Sequence, residues 1–193
     1  TDCTFFDANG DGKQDLYVTS GGSEFSSSST SLIDRLYLNA GNGQLKKSQQ
    51  LLPVQTKFES TSTVVSNDYD GDGDMDLFVG TRLVPFLYGA PANGYILNND
   101  GKGNFLDVTQ SVALELMQLG LITDAKWADV NNDGKADLLV VGEWMSIKVF
   151  IQENGKFFDR SFQYGFDKTD GWYNVIDTGD FNQDGFVDFV AGN

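Results

Sequence analysis

Histidine is absent from this sequence of 193 residues, and cysteine occurs once, at Cys3. Without histidine the chain lacks the commonest general base and the commonest zinc ligand. Hydrolytic triads of the Ser-His-Asp and Cys-His types are therefore excluded within it. A single cysteine also cannot form a disulfide within the chain, so the sequence contains no disulfide framework.

Basic residues are few, because 13 lysines and arginines stand against 28 aspartates and glutamates, which gives a formal net charge of −15. Nucleic-acid binding requires clustered basic residues, so we expect no nucleic-acid partner. No stretch approaches the about 18 consecutive apolar residues of a membrane-spanning helix, and we expect no transmembrane segment. Residue 1 begins within patterned sequence and is not Met, so we expect any export signal to lie outside this sequence.

The acidity is concentrated in a repeated motif. It is densest at residues 68–76, where five of nine residues are aspartate. The pattern Asp-x-Asp/Asn-x-Asp-Gly-x-x-Asp, followed by an apolar residue, occurs four times. The copies start at Asp7, Asp68, Asp129 and Asp180, with spacings of 61, 61 and 51 residues. A period of this length is typical of propellers and repeat arrays.

Each period contains short segments rich in β-branched and aromatic residues and bounded by Gly, Asn and Asp, which is typical of strands. The acidic loop joins the first segment to the second, and a glycine-rich turn joins the third to the fourth. Each complete period is therefore predicted to be a four-stranded antiparallel meander. The predicted strands cover residues 4–6, 16–18, 36–38 and 44–46, then 63–65, 77–79, 95–97 and 105–108, then 125–127, 138–141, 147–151 and 156–158, and finally 175–176 and 189–190.

The predicted fold class is all-β: a β-propeller of four-stranded antiparallel blades, of which about three and a half are present. The blades are expected at about residues 1–50, 60–110, 122–162 and 173–193. Propellers usually need about four to eight blades, so we expect the remaining blades to come from the rest of a longer chain or from another chain. A short helix is expected within residues 109–122, where apolar residues fall near helical spacing.

The acidic loops present oxygen ligands at constant spacing. Positions 1, 3, 5 and 9 are Asp or Asn, position 6 is Gly, and position 7 varies, as a ligand that binds through its backbone carbonyl would allow. Calcium accepts about six to eight oxygen ligands in a flexible shell, whereas magnesium needs a strict octahedron. An EF-hand is excluded, because the Glu of its position 12 is replaced by Val18, Val79, Val140 and Ala191.

We therefore expect about four Ca²⁺ sites with a structural role. The candidate ligands at positions 1, 3, 5, 7 and 9 are Asp7, Asn9, Asp11, Lys13 and Asp15 in the first loop, Asp68, Asp70, Asp72, Asp74 and Asp76 in the second, Asp129, Asn131, Asp133, Lys135 and Asp137 in the third, and Asp180, Asn182, Asp184, Phe186 and Asp188 in the fourth.

This repeated motif resembles the FG-GAP, or VCBS-like, repeat, and the resemblance spans the chain. It implies the β-propeller of integrin α chains, usually of about seven blades, with calcium loops between the first two strands of a blade. Residues 80–85, 95–101 and 141–145 are also similar to a bacterial subgroup related to the cartilage acidic protein of animals. The resemblance implies an extracellular or cell-surface location, in the outer membrane or periplasm if the source is bacterial, and a role in adhesion.

Because strands of a meander alternate in direction, the acidic loops mark one face and the long connectors mark the opposite face. These connectors, at residues 20–35, 49–61, 81–93, 109–122 and 162–173, are the expected home of binding residues. Aromatic rings beside polar groups suit a carbohydrate or protein ligand. The alternative is that the aromatic side chains pack between blades, and Trp144 in particular is expected there. The ligand-face candidates are Arg82, Tyr88, Glu143, Trp144, Trp172 and Tyr173.

Two functions remain open on the sequence. The first is a calcium-stabilised module that binds carbohydrate or protein and is not an enzyme, with no predicted catalytic residue. The second is the propeller of a larger calcium-dependent polysaccharide-processing enzyme of the lyase type, in which Arg82, Tyr88 and Glu143 would act together. A metal-assisted lyase needs open coordination positions, whereas the acidic loops consume most of the shell, so we favour the first function.

Overall fold

A computed structural model describes residues 1–54 and 58–193 of the chain. Residues 55–57, within the connector expected at 49–61, lie outside the described residues. The described residues form four antiparallel sheets, which we call blades 1 to 4 in chain order. Among them no helix has the length and apolar character needed to cross a bilayer.

Blades 1 and 2 are four-stranded meanders in which each strand pairs with the next along the chain. Blade 1 contains β1 (Cys3–Phe6), β2 (Asp15–Val18), β3 (Arg35–Asn39) and β4 (Leu45–Lys47). Blade 2 contains β5 (Ser60–Asn67), β6 (Asp76–Leu83), β7 (Gly94–Asn99) and β8 (Phe105–Asp107).

Blade 3 has the same meander and one additional short strand that pairs with the end of its second strand. Its strands are β9 (Leu121–Ala128), β10 (Asp137–Met145), β11 (Lys148–Glu153), β12 (Lys156–Asp159) and the additional β13 (Gly171–Trp172). Blade 4 comprises two paired strands, β14 (Val175–Gly179) and β15 (Asp188–Gly192).

Every predicted strand overlaps an observed one, and the prediction of about three and a half antiparallel blades is confirmed. The number of blades in a closed propeller stays a prediction. The helix expected within 109–122 is shorter than that connector. It consists of one α-helical turn, α1 (Thr109–Val112), followed by the 3₁₀ helix Leu114–Leu116, and a further 3₁₀ helix covers Thr30–Leu32.

Apolar side chains alternate between the two faces of each inner blade, and both faces are covered. In β6, Leu77 and Val79 pack against blade 1, whereas Phe78 packs against blade 3. In β10, Leu138 faces blade 2 and Leu139 faces blade 4. A strand covered on both faces needs a continuous apolar run, which explains the sequences Leu-Phe-Val and Leu-Leu-Val-Val after the acidic loops. The core therefore lies between the blades, and the acidic loops lie at one edge of the blades.

Candidate functional site

Each acidic loop joins the first strand of a blade to the second, as predicted. The aspartate at position 9 is the first residue of that second strand: Asp15 opens β2, Asp76 opens β6, Asp137 opens β10 and Asp188 opens β15. The first three of these aspartates are fully buried. The loops thus place one carboxylate of each candidate site inside the blade and the others near the surface.

The aspartate at position 1 organises the turn through the backbone. In the first loop, Asp7 accepts hydrogen bonds from the N–H of Asp11 at 3.2 Å and from the N–H of Gly12 at 2.7 Å. The third and fourth loops repeat this pair of bonds, at distances between 2.8 and 3.1 Å. Position 6 has positive φ in all four loops, +79° at Gly12, which favours glycine there.

The aspartate at position 9 connects the loop to the sheet. Asp137 accepts from the N–H of Val130 in its loop at 2.9 Å and from the N–H of Gln152 in β11 at 2.8 Å. Asp15 makes the equivalent two contacts, with Ala8 at 2.9 Å and with Asn39 at 2.6 Å. Both oxygens of these buried carboxylates therefore have a backbone donor.

The second loop differs at this position. One oxygen of Asp76 accepts from the N–H of Asn99 at 2.8 Å, whereas the other, Oδ2, is buried without a hydrogen bond of ordinary geometry. The backbone N–H of Tyr69 still interacts with this carboxylate and lowers its pKa. Asp68, Asp70 and Asp76 each offer a carboxylate oxygen, and these three oxygens lie within 4.8 Å of one another. Burial of Asp76, together with the charge of Asp70, raises its pKa to about 7. This arrangement favours a proton or a cation at the Asp76 carboxylate.

Among the described residues, no other group of three carboxylates lies this close together. The reason is visible at position 3, where the other three loops have an asparagine, whose amide oxygen is a neutral ligand. Position 7 adds a second difference. Lys13 forms an ion pair with Asp11 at 2.8 Å, whereas the second loop has Asp74 instead of a lysine. Desolvation against the β7–β8 turn and the charges of Asp72 and Asp68 raise the pKa of Asp74.

The donor set of all four loops consists of oxygen atoms, which are the ligands of hard divalent cations. The buried oxygen of Asp76 without a hydrogen bond of ordinary geometry is an independent sign that the second loop fits such an ion. In the second loop the predicted ligands at positions 1, 3 and 9 lie together, whereas Asp72 at position 5 is not part of that group. For the other three loops the ligand set stays a prediction. At position 7 the side chains of Lys13 and Lys135 instead approach the aspartate at position 5, so that only a backbone oxygen remains as a ligand there.

On the opposite face, the structure brings three of the predicted residues together. Glu143, at the end of β10, is fully buried. It accepts a hydrogen bond from the hydroxyl of Tyr88 at 2.9 Å and forms an ion pair with Arg82. Arg82 and Glu143 are 61 residues apart, so they occupy the same position in neighbouring repeats. Opposite charges at the same position of neighbouring repeats are a signal in the sequence for this contact.

Trp144 and Trp172 lie beside this group. Their ring centroids are 5.5 Å apart with an interplanar angle of 53°. The expectation that Trp144 packs between blades is wrong, because its side chain is 70% exposed. The register between β10 and β13 shifts between Glu143 and Met145, and this bulge turns Trp144 towards solvent. The sequence does not indicate the bulge, since β13 is only two residues long.

Tyr173 is placed differently from the other candidates. Its hydroxyl donates to the main-chain oxygen of Thr169 at 2.8 Å, and its ring packs against the apolar cluster between blades 3 and 4. Phe166 joins the same cluster through a 5.3 Å ring contact with Phe189. The alternative of packing between blades therefore applies to Tyr173 and Phe166.

A cavity of about 740 Å³ adjoins the Arg82 and Tyr88 side chains. The sequence did not predict most of its lining, which includes two acidic residues, Asp2 and Asp124. Both stand five residues before an acidic loop, and each accepts a hydrogen bond from the backbone of the next blade, Asp2 from Val64 at 3.2 Å and Asp124 from Ile176 at 2.9 Å. Their shared repeat position was the available signal.

Comparison with known families agrees with this architecture. A family model described as FG-GAP-like repeat matches residues 7–79, 83–140 and 129–191. These segments include all four acidic loops and cover most of the chain. No curated protein matches the chain. The chain therefore belongs to the FG-GAP-like repeat family.

Proposed function

We propose that this chain is a calcium-binding β-propeller module that binds a carbohydrate or protein ligand on the face opposite the acidic loops. The observation that carries the calcium assignment is the group of Asp68, Asp70 and buried Asp76, whose carboxylate oxygens lie within 4.8 Å of one another, together with the Asp76 oxygen that lacks a hydrogen bond of ordinary geometry. A buried polar atom of this kind is costly unless a ligand satisfies it. The other three loops, all within the described residues, lack this feature, and the proposal of about four sites rests on the shared motif and its spacing.

When bound, Ca²⁺ would supply positive charge at each loop. Four divalent ions would change the formal net charge from −15 to −7, which relieves repulsion between the aspartates. The residues that would hold the ion are the Asp and Asn side chains at positions 1, 3, 5 and 9, with the backbone oxygen of position 7. A site that binds at about 10⁻³ to 10⁻⁴ M would add on the order of 1 kcal/mol of stability at millimolar calcium.

Extracellular calcium is millimolar, so sites of this strength suit a protein at the cell surface or outside the cell, and we propose that location. A ligand-binding role is supported by the group formed by Arg82, Tyr88 and Glu143 on a rigid blade, next to an open cavity. The full burial of Glu143 and its ion pair with Arg82 favour a role in holding other groups over a role as a catalytic base. The lyase alternative stays a prediction.

Calorimetric titration of the chelator-stripped chain with CaCl₂ tests the calcium assignment. We expect the titration to give about four ions per chain. In a separate thermal melt, calcium should raise the melting temperature by several degrees, and Mg²⁺ should raise it less. A melting curve that is the same in excess chelator and in calcium would show that the acidic loops do not bind calcium.

A further inference from the structure

Trp144 has a backbone conformation that its side chain does not favour. Its φ is +61°, in the left-handed region, where bulky residues are rare because the Cβ approaches the backbone. The residue is also 70% exposed, so burial of its ring does not compensate for the strain. A strained, exposed tryptophan at a β-bulge is a feature typical of binding surfaces.

Trp172 extends the exposed aromatic surface. It pairs across the sheet with Glu143 and is 42% exposed. The 5.5 Å contact with Trp144 at an angle of 53° leaves ring surface of both residues open to solvent. We call Trp144 and Trp172 the tryptophan pair. Its two rings offer flat apolar contact at a small entropic cost, because each side chain has only two rotatable bonds.

Polar groups next to the tryptophan pair are held in place by Glu143. The buried carboxylate binds the Tyr88 hydroxyl through one oxygen and Arg82 through the other. Half of the Arg82 side chain is exposed, and Arg82 lines the adjoining cavity, so a ligand can reach it. Donors that are already fixed cost less entropy when a ligand binds.

The charges around this group do not favour a charged ligand of either sign. The positive charge of Arg82 is offset by Glu143, and Asp2 and Asp124 line the adjoining cavity, so an anionic ligand would be repelled. Beside the tryptophan pair, the Arg82–Glu143 ion pair has no net charge, so it gives a cationic ligand no advantage there. The charges therefore favour a neutral ligand.

The cavity beside Arg82 and Tyr88 is polar, which disfavours an apolar peptide side chain. Hydroxyl and amide groups contribute much of its lining: Ser60, Ser62, Thr63, Thr123 and Asn174. A ligand that fits both the tryptophan pair and the cavity needs an apolar face for the two rings and many hydroxyl groups for the polar cavity. A sugar ring has this combination.

We propose that the tryptophan pair, Arg82 and Tyr88 form a binding site for a neutral saccharide. This inference rests on the proposed function and narrows its ligand to one class. A sugar ring would stack on the tryptophan pair, while Arg82 and the exposed Asn174 would bind its hydroxyl groups. Glu143 acts as a positioning residue in this site, because it is buried beneath Arg82 and Tyr88.

The test is a tryptophan-fluorescence titration of the calcium-loaded chain with neutral oligosaccharides of glucose, xylose, mannose, galactose and N-acetylglucosamine. Oligogalacturonate and chitosan oligosaccharides serve as charged counterparts of the galactose and N-acetylglucosamine series. We expect at least one neutral series to bind, and charged counterparts to bind about tenfold more weakly or worse. Absence of binding by every neutral series, or tighter binding of a charged one, would overturn the proposal.

Variants with glycine in place of a strained aromatic residue provide a matched comparison. Phe86 also has a left-handed φ, +64°, and is 69% exposed, at the turn where Val84 and Leu87 form an isolated bridge. Trp144→Gly and Phe86→Gly both relax the backbone, so both should fold. We expect Trp144→Gly and Trp172→Ala to lose about tenfold or more in affinity and Phe86→Gly to bind like the wild type. Unchanged binding by Trp144→Gly would contradict the site.

Two further measurements separate this inference from the proposed function. The melting temperature in calcium and in chelator reports the calcium module alone, and a peptide array reports protein ligands. If calcium stabilises the chain and only peptides or charged saccharides bind, the saccharide site is wrong and the proposed module stands. If calcium has no effect and neither saccharides nor peptides bind, both are wrong.

Discussion

The side-chain amide of Asn99 donates a hydrogen bond of 2.9 Å to the main-chain oxygen of Ala8, in the acidic loop of the preceding blade. The backbone N–H of Asn99 donates to Asp76 in its own blade at 2.8 Å. Gln152 repeats the first contact in blade 3, through a bond of 2.5 Å to the main-chain oxygen of Tyr69. A residue near the end of the third strand of blades 2 and 3 thus connects the acidic loop of the preceding blade to its own blade.

Replacing Asn99 with alanine should destabilise the chain by about 1–3 kcal/mol, because the main-chain oxygen of Ala8 would be left buried without this donor. Urea denaturation in saturating calcium measures the change. Asn39→Ala is the matched control, since Asn39 also donates to a ninth-position aspartate through its backbone, but its amide contacts Gln14 within its own blade. Equal losses in the two variants would show that the contact between blades is not the cause.

Asp76→Asn should remove one calcium ion per chain at concentrations that saturate the wild type. In chelator the variant should be at least as stable as the wild type, because it removes a carboxylate whose charge is costly to bury, as the rise of the Asp76 pKa to about 7 on burial indicates. Asp74→Asn is the control at position 7, where the side chain is not required as a ligand. Calorimetric stoichiometry compares the two. Loss of an ion in Asp74→Asn but not in Asp76→Asn would contradict the ligand assignment.

Asp34 should make stability depend on pH. Burial raises its pKa to about 7, while it accepts bonds from Tyr17 at 2.9 Å and from Ser20 at 2.7 Å. The folded chain therefore binds more protons than the unfolded chain between pH 4 and 7, and the stability contributed at low pH is lost as the pH rises through this range. A rise of about 3 units in the pKa of Asp34 on folding limits this loss of unfolding free energy to about 4 kcal/mol.

Asp34→Asn tests this dependence, because asparagine keeps the size and cannot titrate. Urea denaturation from pH 5 to 8 in saturating calcium measures the free energy of unfolding of both proteins. As the pH rises, the value for the variant should increase relative to the value for the wild type. A difference that is constant over this range would show that Asp34 does not titrate as described.

Gly80→Ala should destabilise the contact between blades 2 and 3 by about 1–3 kcal/mol, because overpacking a tight core costs that much. A Cβ at this position would lie 2.5 Å from Ile122 Cγ2 and 2.8 Å from Thr63 Cγ2. Gly192→Ala is the control, since a Cβ there would meet Val175 Cγ1 at an ordinary 3.5 Å. Thermal unfolding compares the two, and a wild-type melting temperature for Gly80→Ala would exclude the tight approach.

Much of the fold could be predicted because its signals are local. Strand positions follow from apolar segments between Gly, Asn and Asp, and the acidic loop contains its ligands within nine consecutive residues. Asp7 and Gly12, for example, meet within one turn, so their hydrogen bond requires no distant partner. The Asp76 oxygen that lacks a hydrogen bond of ordinary geometry could not be predicted, since it depends on how β6 and β7 surround that carboxylate.

The opposite face depends on contacts between blades. Arg82 meets Glu143 across one full repeat, and Trp144 is exposed because the pairing of β10 with β13 contains a bulge. Composition and periodicity suit either a buried or an exposed tryptophan at that position. The residue order thus establishes the repeat, the blades and the acidic loops, whose chemistry is local. The folded chain alone establishes which side chains meet on the other face, because one shifted residue of strand register reverses the side to which Trp144 points.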